Sequence, residues 1–170
     1  KYCDWNLQKR MPPRHDGQLY CVSPWVLVWE NGNYYLIAYT DGRLKHYRVD
    51  KMQNVRPLPD TTREGADEYA NFDVNTYMQQ MFGMFNGPLK RVTLLCENRF
   101  AGAMIDRFGT GPVLVPCADG EHFTMTAEIQ VSPQFFGWVA GFGTGVVVSG
   151  PPEVRAEMKK TLDQLQELYR

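Results

Sequence analysis

Within the nine residues Leu44-Lys45-His46-Tyr47-Arg48-Val49-Asp50-Lys51-Met52 the chain gathers three permanent cations and a histidine. Cations at this density attract phosphate or carboxylate. Arginine does so through a planar bidentate fork and lysine as a point charge. Just upstream, Tyr34, Tyr35 and Tyr39 supply rings on which a nucleobase could stack, against the plainer fate of aromatic strand residues as core. Strand alternation puts Lys45, Tyr47 and Val49 on one face and Leu44, His46, Arg48 and Asp50 on the other, so the cations share a face only if twist or a bulge intervenes. Tyr47 and Val49 read as core, which turns Arg48 outward. From the residues alone, Arg48 pairs with Asp50 or with an acid of another strand, Lys45 and Lys51 are solvated, and His46 is either a pH-responsive group or a cross-strand surface residue. Alternation leaves open whether Tyr35, Ile37 and Tyr39 or Tyr34, Leu36 and Ala38 face the core. Lys9, Arg10, Arg14 and His15 flank Pro12-Pro13. They read as a solvated loop or, with Arg10 foremost, as a phosphate-contacting rim.

Other chemistries find less support. Cys3, Cys21, Cys96 and Cys117 form no CxxC pair, and His15, His46 and His122 form no HExxH, so reduced thiols and no metal or cofactor are expected. Gly141, Gly143 and Gly145 run from helix into strand, the reverse of a dinucleotide fingerprint. Ser23, Ser132 and Ser149 lack a nucleophile elbow, and no enzyme is expected.

The cationic strand needs a sheet to hold it. Asn31-Gly32 and Asp41-Gly42 sit between strand-like runs and predict two-residue type I′ turns, hence a three-strand meander. Further strands are expected at 1–6, 17–22 and 54–57, giving a small barrel over residues 1–60. Residues 61–89 read as a linker with a short helix capped by Asp73. Residues 90–170 predict strands at 91–96, 113–116, 122–131 and 145–149. Helices are expected after Asn98, after Ser132-Pro133 and after Pro151-Pro152, the last with Val154, Met158, Leu162 and Leu165 as its buried stripe. That βαββαβ order with a C-terminal helix is ferredoxin-like, so the class is α+β.

Residues 1–60 hold nine Lys/Arg against six Asp/Glu and the remainder nine against thirteen, within a net charge of −1. This excess is too small for a generic duplex-binding surface. No apolar run approaches the ~20 residues of a membrane helix, and Lys1-Tyr2-Cys3-Asp4-Trp5 resembles a strand rather than a signal peptide. The expectation is a cytoplasmic protein without membrane contact, cut from a longer chain.

Several stretches resemble one family. Tyr34-Tyr35-Leu36 stands where the WYL domain carries Trp-Tyr-Leu. Ser23-Pro24-Trp25-Val26-Leu27 is similar to its first strand, and Lys45-His46-Tyr47-Arg48-Val49-Asp50-Lys51-Met52 to its R-x-F-R-L-D-R-I signature, with lysine replacing arginine twice. Cys96-Glu97-Asn98, Ile105-Asp106-Arg107-Phe108-Gly109 and Val131 to Trp138 resemble the WCX extension of that family. The resemblance implies a bacterial transcription regulator whose helix-turn-helix, absent from this chain, would bind promoter DNA. It further implies an SH3/Sm-like barrel that senses single-stranded nucleic acid or a nucleotide, and homodimers. Carried onto this sequence, it points to Arg48, Lys45 and Lys51 as ligand contacts, with Tyr35, Tyr39, His46 and Arg10 around them. The competing expectation is a protein–protein dimerisation module without a small ligand, its interface formed by Phe135, Phe136, Trp138 and Phe142.

Overall fold

The computed structural model describes residues 1–170, which divide into two compact units, Lys1–Phe72 and Asp73–Arg170. In the first, β1 (Ser23–Glu30), β2 (Asn33–Thr40) and β3 (Arg43–Arg48) form an antiparallel sheet in that order. The turns Asn31-Gly32 and Asp41-Gly42 have positive φ at both central residues, 47° and 77° in one and 50° and 75° in the other. This is the type I′ requirement, and it locks Glu30 opposite Asn33 and Thr40 opposite Arg43. Val28, Tyr35 and Arg48 therefore share a cross-strand row, as do Leu27, Leu36 and Tyr47 on the other face. Val28, Tyr35 and Ile37 are buried, so the Tyr35 face is the more enclosed one, although Ala38 is also buried on the opposite side.

The sheet is open, not the closed five- or six-strand barrel expected from the sequence. Residues 1–6 contribute only the isolated bridges Tyr2–Met52 and Cys3–Pro13. In this ladder the Pro12 carbonyl accepts from the Asp4 N–H, but Pro12 has no N–H to return. Residues 15–17 form a 3-10 turn with Asp16 at φ 53°, and Asn54 at φ 53° breaks the run before Pro57. Val49, expected as core, is 39% exposed because β3 ends at Arg48 and a 3-10 turn over Val49–Lys51 follows. A short helix, α1 (Ala66–Ala70), starts after Gly65, whose missing side chain admits the Tyr39 ring.

The second unit opens with α2 (Val74–Gln80), capped by Asp73, whose carboxylate accepts from the Asn75 N–H. It continues β4 (Leu89–Glu97), α3 (Ala101–Phe108), β5 (Leu114–Pro116), β6 (His122–Gln130), α4 (Pro133–Ala140), β7 (Val146–Gly150) and α5 (Pro152–Leu168). The antiparallel sheet runs β5-β6-β4-β7. Alternate residues Val92, Leu94 and Cys96 of β4 and Phe123 and Met125 of β6 are buried with Met104, Phe108, Phe135, Val139 and Val154 from the helices. Burial pushes the Cys96 thiol up to about 11, an inert core cysteine. Ser132 caps α4 by accepting from the Phe135 N–H, with Pro133 in its first turn. Asn98 does not cap α3. A 3-10 turn over Asn98–Phe100 intervenes, and the Asn98 amide donates to the Gly120 carbonyl instead.

Two expectations fail here for one reason: periodicity locates an apolar stripe but not what covers it. Leu162 and Leu165 are each 45% exposed, because α5 buries Val154 and partly buries Met158 and then runs on uncovered. Conversely, Phe135 and Phe136, expected at an interface, are core. The Phe135 ring meets those of Phe82 and Phe136, and Trp138 lies 5.1 Å from Phe82 between ring centroids.

Phe135→Ala is expected to cost about 3–5 kcal/mol in chemical denaturation, whereas Leu162→Ala stays within about 0.5 kcal/mol. Gly87→Ala is expected to destabilise by more than about 2 kcal/mol, because a Cβ there would stand 1.8 Å from the Val131 carbonyl oxygen, a backbone atom that cannot swing aside.

A candidate anion-binding strand

Arg48 ends β3 on the face of Tyr35. Its backbone N–H donates to the Tyr2 hydroxyl at 3.0 Å. Its guanidinium makes a fork on Asp50, Nε to Oδ1 at 3.0 Å and Nη2 to Oδ2 at 2.7 Å, and Nη2 also donates to Asn33 Oδ1 at 2.9 Å. The 3-10 turn curls Asp50 back onto Arg48, which a continuing strand would not do. The Arg48 hydrogen bonds hold the Asp50 carboxyl below its ordinary range. Asp50 thus occupies the bidentate seat that a phosphate or an external carboxylate would take.

The other two cations are also paired. Lys45, opposite Ala38 and so on the other face from Arg48, lies 2.5 Å from Asp41. Lys51 lies 2.8 Å from Asp4, which Arg14 also contacts. Lysine 51 and then Arg14 keep the Asp4 carboxyl low against its desolvation. Each signature cation therefore faces its own carboxylate, and Arg48 and Lys45 are separated by the sheet.

Tyr35 is 8% exposed and meets His46 edge-on at 6.2 Å, so in this conformation it presents no free stacking face. His46 sits opposite Ile37 in the same row pattern. The Tyr39 hydroxyl donates to Glu68 at 3.2 Å, tying β2 to α1. Desolvation, then that carboxylate, raises its pKa. Arg10 lies in an exposed turn where its backbone N–H donates to the Asn6 side chain and its carbonyl accepts from the Asn6 N–H.

Sequence reasoning passed over an exposed aromatic pair. Trp29 and Tyr34, 60% and 55% exposed, meet edge-to-face at 4.7 Å. The signal was available, since a two-residue turn at 31–32 places positions 29 and 34 opposite one another. It also passed over Arg56 and Arg63, which line a cavity on the Leu36–Tyr47 face. They come from an irregular proline-rich segment, where no periodicity announces a wall.

Because Asp4 and Asp50 are held below the roughly 3.9 of an unfolded aspartate, their stabilising contribution is complete above that value and is lost as pH falls through the lower folded value. Asp4→Asn is therefore expected to lower stability at neutral pH and flatten its decline below about pH 4. Thermal melts across pH 2–7 would check both.

A family model of the WYL domain matches residues 10–57, and a model of the WCX domain matches residues 88–166. No curated protein matches the chain. Among solved structures, proteasome accessory factor B/C of Arthrobacter aurescens is similar at 19% identity and a TM-score of 0.36, over 92% of this chain and 23% of that one. A CRISPR Cas-related protein is similar at 14% identity and a TM-score of 0.29, over 87% of this chain and 43% of that one. The chain thus spans less than half the length of either. With the two family matches following one another along most of its length, the chain belongs to the WYL-domain family, its WYL domain followed by a WCX domain.

Proposed function

We propose that this chain is the ligand-sensing and dimerisation region of a bacterial, cytoplasmic WYL-family transcription regulator, controlling a DNA-binding domain that precedes it in the full protein. The observation that carries the reading is the Arg48 fork, formed on a family signature strand and closed on an internal carboxylate. An anionic effector, single-stranded nucleic acid or a nucleotide, exchanges with Asp50 on that fork. Lys45 and Lys51 add field, with His46, Tyr39 and Arg10 around the strand. Exchange of one anion for another avoids leaving the guanidinium unpaired. It also releases the 3-10 turn that Asp50 tethers, a local change able to bias two global states if the effector prefers one. The strand order β5-β6-β4-β7 supports reading the second unit as ferredoxin-like. The exposed Leu162 and Leu165 of α5, with Tyr169 just past its end, support a dimerisation role and equally favour the alternative reading, a protein–protein module with no small ligand.

Fluorescence anisotropy with a short single-stranded oligonucleotide separates these readings. Arg48→Ala is expected to weaken binding about tenfold, and Asp50→Asn to tighten it severalfold by removing the internal competitor. Affinity should fall as salt rises, with a slope near −0.7 per phosphate contacted. If Arg48→Ala binds as tightly as the unmodified chain, the fork is not the site. Sedimentation of Leu162→Glu/Leu165→Glu tests dimerisation independently. A dimer that becomes monomeric supports it, and a monomer before substitution overturns it.

A further inference from the structure

On the face of the first sheet away from Arg48 lies a cavity of about 680 Å³, within the range of small-molecule sites. Leu36 and Tyr47 form its floor from adjacent strands, Tyr2 and Tyr20 stand beside Tyr47, and the irregular segment 54–63 closes over it. Leu19, Val55 and Leu58 line it while remaining 56%, 75% and 50% exposed, so apolar surface faces solvent there. The Tyr47 hydroxyl has no hydrogen-bond partner within the protein.

Its electrostatics differ in kind from those of the signature strand. Arg56, Arg63 and Lys1 line the cavity, and no Asp or Glu does. Arg56 has neither an ion pair nor a hydrogen bond. The Arg63 guanidinium is held 3.7 Å over the Trp25 ring, and its Nη1 donates to the Pro24 carbonyl at 3.4 Å, which fixes the group and leaves its charge uncompensated. Lys45, Arg48 and Lys51 each have a carboxylate, and these arginines have none.

We infer that this cavity is a second binding site, distinct from the Arg48 fork, for a small molecule with a flat aromatic body and one anionic group, of the aryl carboxylate or aryl sulfonate class. The tyrosine and leucine floor takes the ring, the Tyr47 hydroxyl offers a hydrogen bond, and Arg56 and Arg63 hold the anion at the rim. Apolar burial supplies the affinity and the unpaired arginines select the charge.

The test uses the 170-residue chain and the anionic dye 8-anilinonaphthalene-1-sulfonate as probe, followed by its fluorescence. One saturable site is expected. Arg56→Glu/Arg63→Glu should weaken it about tenfold, because two attractive rim charges become repulsive. Arg63 also stacks on Trp25, so Arg56→Glu alone, with an unchanged circular dichroism melt, must weaken it too. Lys159→Glu, on exposed α5, should leave it unaltered. The uncharged analogue N-phenyl-1-naphthylamine should bind more weakly and ignore the arginine substitutions. Dye affinity indifferent to both arginine variants overturns the site. Displacement of the dye by a short oligonucleotide, lost with Arg56→Glu, overturns the small-molecule assignment and makes the cavity part of a nucleic-acid site.

Discussion

The positive φ angles at Asn31-Gly32 and Asp41-Gly42 constrain everything the first unit does. A two-residue type I′ turn admits one register, and a slip of a single residue would exchange the two faces of the sheet. With the register locked, Arg48 falls beside Tyr35 and Tyr47 beside Leu36. The fork and the cavity are then on opposite sides of one sheet. Asn and Gly tolerate the left-handed region where a β-branched residue would not. Both sites therefore rest on four small turn residues, of which only Asp41 reaches one of them, through Lys45.

Charge is managed differently on those two sides. Along the signature strand each cation is neutralised within the protein, so an incoming anion gains the difference between two pairings and not a full one. Such exchange sites are weak for simple ions and responsive to ligands that add contacts. At the cavity rim, Arg56 and Arg63 have no internal anion, and their field is available without a competitor. Solvent screening tempers both, since the groups are partly exposed.

The second unit is held by conventional burial. β4 and β6 send alternate residues into a core closed by α3, α4 and the start of α5, with the Phe82, Phe108, Phe135 and Trp138 rings at tilted or edge-on angles. Glycines at 87 and 145 let other groups approach where any side chain would collide, the Val131 carbonyl in one case and the Phe100 ring in the other. The last turns of α5 have no such cover and carry exposed leucines to the end of the chain.

Local chemistry was legible in the residues alone. The Asx-Gly turns, the Asp73 and Ser132 caps and the alternation of β4 and β6 are each decided by interactions within a few positions, and the sequence determined them. The Arg48–Asp50 pair, two residues apart, was one of two readable pairings, the other being an acid of another strand, and the fold selected it. What required the tertiary structure was everything set by distant partners. No spacing tells that Asp4 will reach Lys51, that Pro12 will fall opposite Asp4 where a strand pairing needs its N–H, or that Tyr35 and not Tyr34 will be covered. Nor does periodicity tell which part of an apolar helix stripe another element will bury, or that a segment with prolines 57 and 59 will wall a cavity beneath two unpaired arginines. Backbone preference acts between neighbours, whereas burial and charge pairing are settled only once the chain has closed on itself.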